Sequence, residues 1–253
     1  MPNIRRQLHG LRNRDHAGAA DANRNRRARL RSADLGIVES VNIGSSRVTA
    51  HSVAGRTGID KRPVSHPVAV SAPGPQGVSG MAGDSVCDAR FHGGDHQAVY
   101  DYAREDLDLW ERELGRELSA GVFGENLTTR GLDVSGTVIG ERWRVGDVVV
   151  LEASATRIPC RTFADRLGQE SWIKRFGRRA LPGVYFRVVV PGHVAAGAPV
   201  TLLSRPDHGV TSAMVLRALT GERELLPRPL EADAPSPSQS ESARKRLALP
   251  VRA

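Results

Sequence analysis

One thiol, Cys160, lies between Arg157 and Arg161 in a short stretch that follows an apolar segment. Residues 148–151 predict a buried strand, and Pro159 ends that strand because its ring fixes φ and disfavours helix in the residue before it. The guanidinium groups of Arg157 and Arg161 would favour the thiolate over the thiol, and the thiolate is the form that attacks electrophiles or binds soft metals. Cys160 is therefore a candidate nucleophile or metal ligand, although free cysteines also serve as small buried hydrophobic residues.

A second group of polar residues is the segment His92-Gly93-Gly94-Asp95-His96. Its two imidazoles and one carboxylate invite a metal site, but zinc-binding histidines at this spacing normally share one face of a helix, and the glycine pair predicts a loop. Gly93 and Gly94 are suited to close approach of a ligand, with N–H groups that could bind an oxyanion. A tight turn before a helix explains the pair equally well.

The same segment leaves open a nucleophile made of Cys160 with His92 or His96, although neither the spacing nor the local sequence matches a known hydrolase arrangement. Dinucleotide and triphosphate binding by the common routes is excluded, because the chain contains no Gly-x-Gly-x-x-Gly fingerprint and no Walker-type loop. Any redox chemistry at the thiol would therefore need electrons from elsewhere.

The net charge of +8 comes almost entirely from the N-terminal residues. Residues 1–31 contain nine arginines and two aspartates, whereas the remaining 27 basic and 26 acidic residues nearly cancel. A nearly neutral body argues against a folded basic groove, so we expect no specific nucleic-acid partner for it. Residues 1–33 lack large apolar residues and a sustained period, and we predict a disordered arm there, either a targeting segment or a start placed too far upstream.

Segment lengths and cysteine content indicate the compartment. No apolar run approaches the ~20 residues of a membrane-spanning helix, and the N-terminus lacks the apolar centre of a secretory signal. The chain has only two cysteines, Cys87 and Cys160, which give no disulfide framework and fit a reducing environment. We therefore expect a cytoplasmic protein with no membrane partner.

The segments that must position these groups predict a mainly β fold. Short β-branched stretches separated by glycines fill residues 34–205 and favour a curved antiparallel sheet or β-barrel over alternating βαβ units. Apolar residues at intervals of three and four predict one clear helix over 98–118. Residues 206–226 predict a short helical appendage, and residues 227–253, rich in proline, serine and charge, predict a disordered tail.

Two strand pairs are predicted within this β-rich region. The first joins residues 36–42 to 47–53 around a Gly-Ser-Ser turn, and the second joins 183–190 to 194–203 around a Pro-Gly turn. A further strand is expected at residues 85–91, before the glycine pair.

Three motifs, taken in order, resemble the MOSC family, which is related to the C-terminal domain of molybdenum-cofactor sulfurases. The motifs are His92-Gly93-Gly94 followed by Ala98-Val99-Tyr100, then Phe123-Gly124-Glu125-Asn126-Leu127-Thr128, then Arg157-x-Pro159-Cys160. The subgroup that the chain resembles most is that of small bacterial YiiM-like proteins, and the resemblance covers residues 36–203. It implies a strand-rich, barrel-like MOSC domain, and residues 210–219 look like the start of the helical module that often follows.

The resemblance also implies a molybdopterin-type molybdenum cofactor, with Cys160 as the ligand of molybdenum. A soft thiolate suits that metal, and the phosphate of the cofactor would need fixed donors. The residues that the resemblance assigns to cofactor binding are Arg157, Arg161, His92, Gly93, Gly94, His96, Glu125 and Asn126, the last through its side-chain amide.

Gln97 departs from the pattern of the family. Many relatives have lysine immediately before Ala-Val-Tyr, where this chain has glutamine. A cationic contact with the cofactor is lost there, and whether His96 replaces it is left open.

As to function, the resemblance implies an oxidoreductase that reduces N-hydroxylated small molecules, such as hydroxylaminopurines, with electrons from a separate reductase. The residue types alone argue only for a thiolate beside anion-binding groups. A protein that carries molybdenum cofactor or sulfur without catalysis remains an alternative, and a cofactor-free cysteine nucleophile is another. Turnover that depends on molybdenum would separate the enzyme from the carrier.

Overall fold

The β-branched segments of the chain form a β-barrel in the computed structural model, which describes residues 35–249. The strands within this described range are twelve in number: β1 (Leu35–Gly44), β2 (Arg47–Val48), β3 (Arg56–Thr57), β4 (Lys61–Pro63), β5 (Val68–Val70), β6 (Val99–Ala103), β7 (Leu127–Arg130), β8 (Arg142–Val145), β9 (Val149–Ala155), β10 (Val184–Val190), β11 (Gly192–Val194) and β12 (Pro199–Ser204).

Seven of these strands close into a ring. Their order is β12-β8-β9-β10-β6-β7-β1, and pairing of Leu35 with Thr201 and of Ile37 with Pro199 joins β1 back to β12. Neighbours in the ring run antiparallel except β6 and β7, which are parallel. Closure leaves the ring without a free edge, and the mainly β, barrel-like fold predicted from the sequence is confirmed.

The α-helices of the described range are five: α1 (Arg104–Leu114), α2 (Arg161–Leu167), α3 (Trp172–Arg179), α4 (Ser212–Thr220) and α5 (Pro237–Ala248). An aromatic core joins the first three helices to the barrel. Rings of Trp110, Phe163, Trp172 and Phe176 surround Phe123, with centroids between 5.1 and 6.4 Å from its ring. Because the two tyrosines of β6 belong to the same core, the helices are fixed to the barrel wall.

The helix predicted over residues 98–118 is shorter than expected. It begins at Arg104 and ends at Leu114, followed by Gly115 in the left-handed conformation with φ 63°. The preceding residues form β6, in which every side chain is buried. A strand buried on both faces has no alternation of its own, so its apolar residues can fit a helical spacing by chance.

Neither predicted strand pair forms. β1 pairs with β7, β12 and β4, while β2 pairs with β3. β10 lies between β9 and β6, whereas β12 lies between β8 and β1. Residues 85–91, also predicted as a strand, form loop and turns. Local propensity identifies a strand more readily than its partner, and most partners here are distant in the chain.

The chain after the barrel is largely helical up to residue 248, which corrects the prediction of a disordered tail from residue 227. Helical turns at Arg223–Leu225 and Arg228–Leu230 lead into α5, which buries Gln239, Ser240 and Ala243. The Pro- and Ser-rich composition conceals this helix because proline is well tolerated in the first helical turn. Its buried positions pack with α4, so tertiary contacts rather than propensity stabilise it.

The predicted N-terminal arm, residues 1–33, lies outside the described range, and its disorder stays a prediction. Residues 250–253 lie outside it as well. Among the helices of residues 35–249, none has the length and apolar character needed to cross a membrane.

Candidate functional site

A cavity of about 560 Å³ lies beside the loop that follows β9. Residues 156–160 of this loop border it together with the segment 84–93, β4, the turn at Gly124 and the C-terminal helix α5. The volume is within the range of small-molecule sites. The loop that carries the predicted thiol therefore opens onto a space that can hold a ligand.

Six of the predicted site residues line this cavity: Cys160, Arg157, Arg161, His92, Gly93 and Asn126. Gln97, the position that departs from the family, lines it as well. Of the other predicted residues, Gly94, His96 and Glu125 lie behind the wall, where each makes contacts within the protein.

Cys160 stands at the start of α2 and is partly exposed. Its backbone carbonyl accepts a hydrogen bond from the Ala164 N–H at 3.0 Å, so the first turn of the helix fixes the residue that carries the thiol. The side chain packs against the aromatic core. Cys87 also lines the cavity, with its Sγ 3.4 Å from the Ser46 hydroxyl oxygen, so both thiols of the chain border one space.

Arg157 is a buried cation supported by aromatic rings. The residue is only 7% exposed, and its guanidinium carbon lies 5.0 Å from the Tyr100 ring centroid and 4.3 Å from that of Phe163. Among residues 35–249, its Nε has no hydrogen-bond partner and no carboxylate forms an ion pair with it. Cation–π contacts offset part of the cost of burial, and the positive charge stays available to an anion in the cavity.

Lys61 and Asp84 form a buried ion pair at the cavity wall, which sequence reasoning missed. The Asp84 carboxylate also accepts hydrogen bonds from the Ser79 hydroxyl at 2.8 Å, the Asn126 amide at 3.0 Å and the Gly44 N–H at 2.8 Å. Burial lowers the pKa of Lys61, whereas Asp84 acts against that shift. Strand β4, the loop before β6 and the segment after Gly124 are thus held together by one carboxylate.

A signal for Lys61 was present in the sequence. The chain contains only three lysines, at positions 61, 174 and 245, among its 36 basic residues. Lysine and arginine differ in geometry, so a lysine in this arginine-rich chain draws attention, but rarity alone does not distinguish Lys61 from the exposed Lys174 and Lys245. The signal for Asp84 is weaker, because no local motif distinguishes it from other loop aspartates.

Asn126 lines the cavity, but its amide is already engaged. The Nδ2 donates to Asp84 and, at 3.4 Å, to the Asn42 carbonyl, while the Oδ1 accepts from the Tyr100 N–H at 3.2 Å. An asparagine amide has two N–H donors and both are used, so only the oxygen can accept a further bond. The predicted hydrogen bond from this amide to a pterin is corrected accordingly.

Glu125 is fully buried and supports the wall from behind. Its carboxylate accepts hydrogen bonds from the Gly121 N–H at 2.6 Å, the Phe123 N–H at 2.9 Å and the Thr128 hydroxyl at 3.0 Å. Burial raises the pKa of Glu125, and these donors act in the opposite direction. The residue shapes the turn that presents Gly124 and Asn126, so its predicted direct role at the cofactor is replaced by a supporting one.

The two histidines are separated rather than paired. His92 faces the cavity, where burial and the nearby Arg157 lower its pKa. The Nδ1 of His96 lies 3.0 Å from the Arg187 guanidinium, and burial followed by that arginine lowers its pKa. His96 therefore does not replace the cation missing at Gln97. Within residues 35–249, no three His, Cys, Asp or Glu side chains are grouped to hold a metal ion.

Gly93 and Gly94 serve packing more than ligand approach. Both have positive φ, and a Cβ on Gly93 would lie 2.7 Å from the Val78 carbonyl oxygen. The Gly94 N–H donates to that carbonyl at 2.9 Å, so it is not free to bind an anion. Of the two interpretations left open by the sequence, the tight turn is favoured, since the pair allows the segment around Val78 to approach closely.

The cavity is also lined by residues of β10 and α5 that lie outside the predicted motifs. Tyr185 of β10 stacks on Tyr100 with ring centroids 4.6 Å apart, while Ser238, Gln239 and Ser242 come from α5. Nothing in the sequence around Tyr185 distinguishes it from other strand tyrosines. Ser238, Gln239 and Ser242 lie in the segment predicted from composition to be a disordered tail.

The chain is similar in sequence to known proteins that share this region. The MOSC domain family model matches residues 88–201. Protein YflK of Bacillus subtilis, described as uncharacterized, is 36% identical over 155 residues, which are 61% of this chain and 67% of YflK. A protein named Reductase from Gibberella moniliformis is 32% identical over 132 residues, which are 51% of this chain and 23% of that protein.

Among solved structures, that of YiiM from Geobacillus stearothermophilus has a TM-score of 0.68 and 28% sequence identity to this chain. The alignment covers 84% of this chain and 100% of that one. The matched family range begins just before His92 and ends within β12, so it includes the loop of Cys160 and five of the seven strands in full, with part of β12.

Proposed function

Because this chain belongs to the MOSC domain family and is YiiM-like in sequence and fold, we propose that its cavity binds molybdenum cofactor with Cys160 as the protein ligand of the metal. The observation that carries this proposal is the buried Arg157, whose guanidinium borders the same space as the thiol and whose Nε finds no hydrogen-bond partner in the described part of the chain. A charge buried without a carboxylate is costly, and an anionic cofactor would offset that cost.

The donors around the cavity fit such a cofactor. Cys160 supplies a soft sulfur ligand, which suits molybdenum better than a hard oxygen would. Arg157 and Arg161 can bind phosphate, and arginine does so with two parallel hydrogen bonds. Among residues 35–249, the buried Oε1 of Gln97 has no hydrogen-bond partner of ordinary geometry, although His92 lies close to its side chain, and it can accept a hydrogen bond from a ligand. Lys61 also lines this space, and because its ammonium is paired with Asp84 it would meet a ligand as part of that ion pair.

We further propose that the loaded protein reduces N-hydroxylated small molecules, such as hydroxylaminopurines, to the corresponding amines. The balanced reaction consumes two electrons and two protons, breaks the N–O bond and releases water. Bound cofactor would supply the two-electron redox chemistry and the affinity for oxygen. The similarity to a protein named Reductase supports the enzyme class, and a separate reductase would deliver the electrons.

The protein's own groups would bind and orient the substrate. His92, whose lowered pKa keeps it neutral near pH 7, can donate or accept a hydrogen bond without adding charge. The ion pair of Lys61 with Asp84 would present a fixed dipole at the cavity wall. Tyr185, which is half-buried and stacks on Tyr100, could offer its outer face to a purine ring.

The test is elemental analysis of protein purified from a host that makes the cofactor, followed by an assay with 6-hydroxylaminopurine and a chemical reductant. We expect close to one molybdenum per chain and formation of adenine that depends on the metal. Bound molybdenum without reduction would favour the carrier of cofactor or sulfur. A cofactor-free nucleophile would be favoured if the protein contains no molybdenum, still converts 6-hydroxylaminopurine, and loses that activity when Cys160 is alkylated.

A further inference from the structure

The backbone of Thr156 is buried beyond the end of its strand, yet it is hydrogen-bonded on both sides. The last residue of β9, Ala155, pairs with Tyr185, and Thr156 follows it with 1% exposure. The side-chain amide of Gln239 takes the place of a neighbouring strand. Its Oε1 accepts from the Thr156 N–H at 3.1 Å, and its Nε2 donates to the Thr156 carbonyl at 2.6 Å.

Thr156 is the residue directly before Arg157, so this contact fixes the base of the loop that bears Arg157 and Cys160. The Thr156 hydroxyl is held as well, because it accepts a hydrogen bond from Ser212 of α4 at 3.0 Å. Each buried backbone group left without a partner costs free energy comparable to a lost hydrogen bond. Removing the Gln239 amide would therefore favour opening of the loop toward water.

Attachment of α5 to the body does not depend on this amide alone. Ser236, just before the helix, donates its backbone N–H to the Ser154 carbonyl at 2.7 Å, and Ala243 packs fully buried in the core formed with α4. Loss of the Gln239 contact should therefore leave the helix in place and act on the loop. Gln239 also lines the cavity itself, together with Ser238 and Ser242.

We propose that Gln239 is a positioning residue of the site, which holds the Arg157–Cys160 loop in its ligand-binding geometry through both backbone groups of Thr156. The C-terminal helix is then part of the functional site, although it lies outside the matched range of the MOSC domain, residues 88–201. The proposed role in the loop stands on hydrogen bonding alone, and only its effect on cofactor retention rests on the proposed function.

Hydrogen–deuterium exchange tests the loop directly and requires no cofactor. The variants are Gln239→Met, which keeps the side-chain length without either hydrogen bond, and Gln239→Ala. Arg244→Ala is the matched control, because Arg244 is exposed on the same helix. We expect both Gln239 variants to exchange about tenfold faster in peptides spanning residues 154–163. Peptides from β1 and β12 serve as internal references and should be unchanged in all three variants.

Unchanged exchange at residues 154–163, or equal acceleration in the barrel peptides, would overturn the assignment. Molybdenum content then extends the test in protein from a cofactor-producing host. We expect the Gln239→Met protein to retain several-fold less metal than Arg244→Ala, and full retention despite a loosened loop would overturn the role in ligand binding. If the unaltered chain itself holds no molybdenum, the proposed function fails, and the exchange result still decides whether Gln239 holds the loop.

Discussion

The guanidinium carbon of Arg157 lies 4.3 Å from the ring centroid of Phe163, and that ring in turn meets Trp172 at 5.4 Å in an edge-to-face contact. The cation of the candidate site therefore rests directly on the aromatic core that attaches α2 and α3 to the barrel. The core sets the position of the charge without neutralising it, which leaves the charge to act on a ligand.

Replacing Arg157 by alanine should lower molybdenum content severalfold, because the buried cation proposed to bind the cofactor phosphate is lost. Activity per bound molybdenum should be retained. The measurement is metal content by elemental analysis alongside turnover in the same samples. Arg144→Ala is the matched control, since Arg144 is exposed on β8 away from the cavity. Full metal content in the Arg157→Ala protein would remove the proposed role of this residue.

Replacing Cys160 by serine should abolish molybdenum retention, whereas Cys87→Ser should retain the metal. The oxygen of serine is a harder ligand and is seldom ionised near neutral pH, so it cannot replace a thiolate at molybdenum. Both cysteines line the cavity, which makes Cys87→Ser a demanding control. Metal loss in the Cys87→Ser protein, with retention in Cys160→Ser, would reverse the assignment of the ligand.

Protein loaded with cofactor should not oxidise NADH or NADPH alone, but it should reduce an N-hydroxylated base once a flavin reductase or a chemical reductant is added. The chain contains no dinucleotide fingerprint, so we expect it to take electrons from the added reductase or reductant and not from NADPH directly. NADPH consumption and product formation are followed together in the same samples. Turnover with NADPH alone, without a reductase or chemical reductant, would contradict the prediction of an external electron donor.

Breaking the ion pair of Lys61 and Asp84 should be strongly destabilising. Lys61→Met leaves a carboxylate buried without its cation, which typically costs about 3–5 kcal/mol. Adding Asp84→Asn should recover part of that loss, because the uncompensated charge is removed. Urea unfolding of the single and double variants measures the effect. Lys245→Met is the control, since this lysine pairs with Glu241 on the exposed face of α5 and should change stability little.

The buried carboxyl group of Asp106 should make the free energy of unfolding depend on pH. Burial raises the pKa of Asp106 to about 6, although the Ser135 hydroxyl donates to its carboxylate at 2.9 Å. Between the unfolded pKa near 4 and the folded value, the native state binds more protons than the unfolded state, so this group's contribution to stability falls as pH rises through that window.

Asp106→Asn should therefore be more stable than the unaltered chain at pH 7.5, by at most about 3 kcal/mol, and the difference should shrink as pH approaches 4. The amide oxygen of asparagine can still accept the hydrogen bond from Ser135, so packing is nearly preserved. Denaturant unfolding of both proteins across this pH range provides the measurement. A difference that grows toward acidic pH would contradict the assignment.

Much of the site could be predicted from sequence, because its motif residues lie near one another in the chain and carry their chemistry in their types. Cys160, Arg157 and Arg161 come from one short segment, and the structure places all three at the cavity. The barrel itself was predictable from short, glycine-bounded strands. Periodicity also located the helix after β6, though not its first residue.

What sequence reasoning missed depends on contacts between distant segments. Lys61 meets Asp84 and Gln239 meets Thr156 only because the barrel and the C-terminal helix bring their segments together. From its motif, Glu125 is expected to bind the ligand. In the structure its carboxylate instead accepts hydrogen bonds from the Gly121 and Phe123 N–H groups. The fold decides which donor meets which acceptor, and this pairing cannot be predicted from residue type alone.

The closure of the ring by β1 and β12 constrains the order of events during synthesis. β1 is the first strand of the described range and β12 is the last, so the barrel cannot close until the ribosome has released residue 204. Until then β1 exposes an unpaired edge, and pairings of such long sequence separation form slowly. We therefore expect nascent chains that end before residue 199 to remain sensitive to protease and to depend on chaperones.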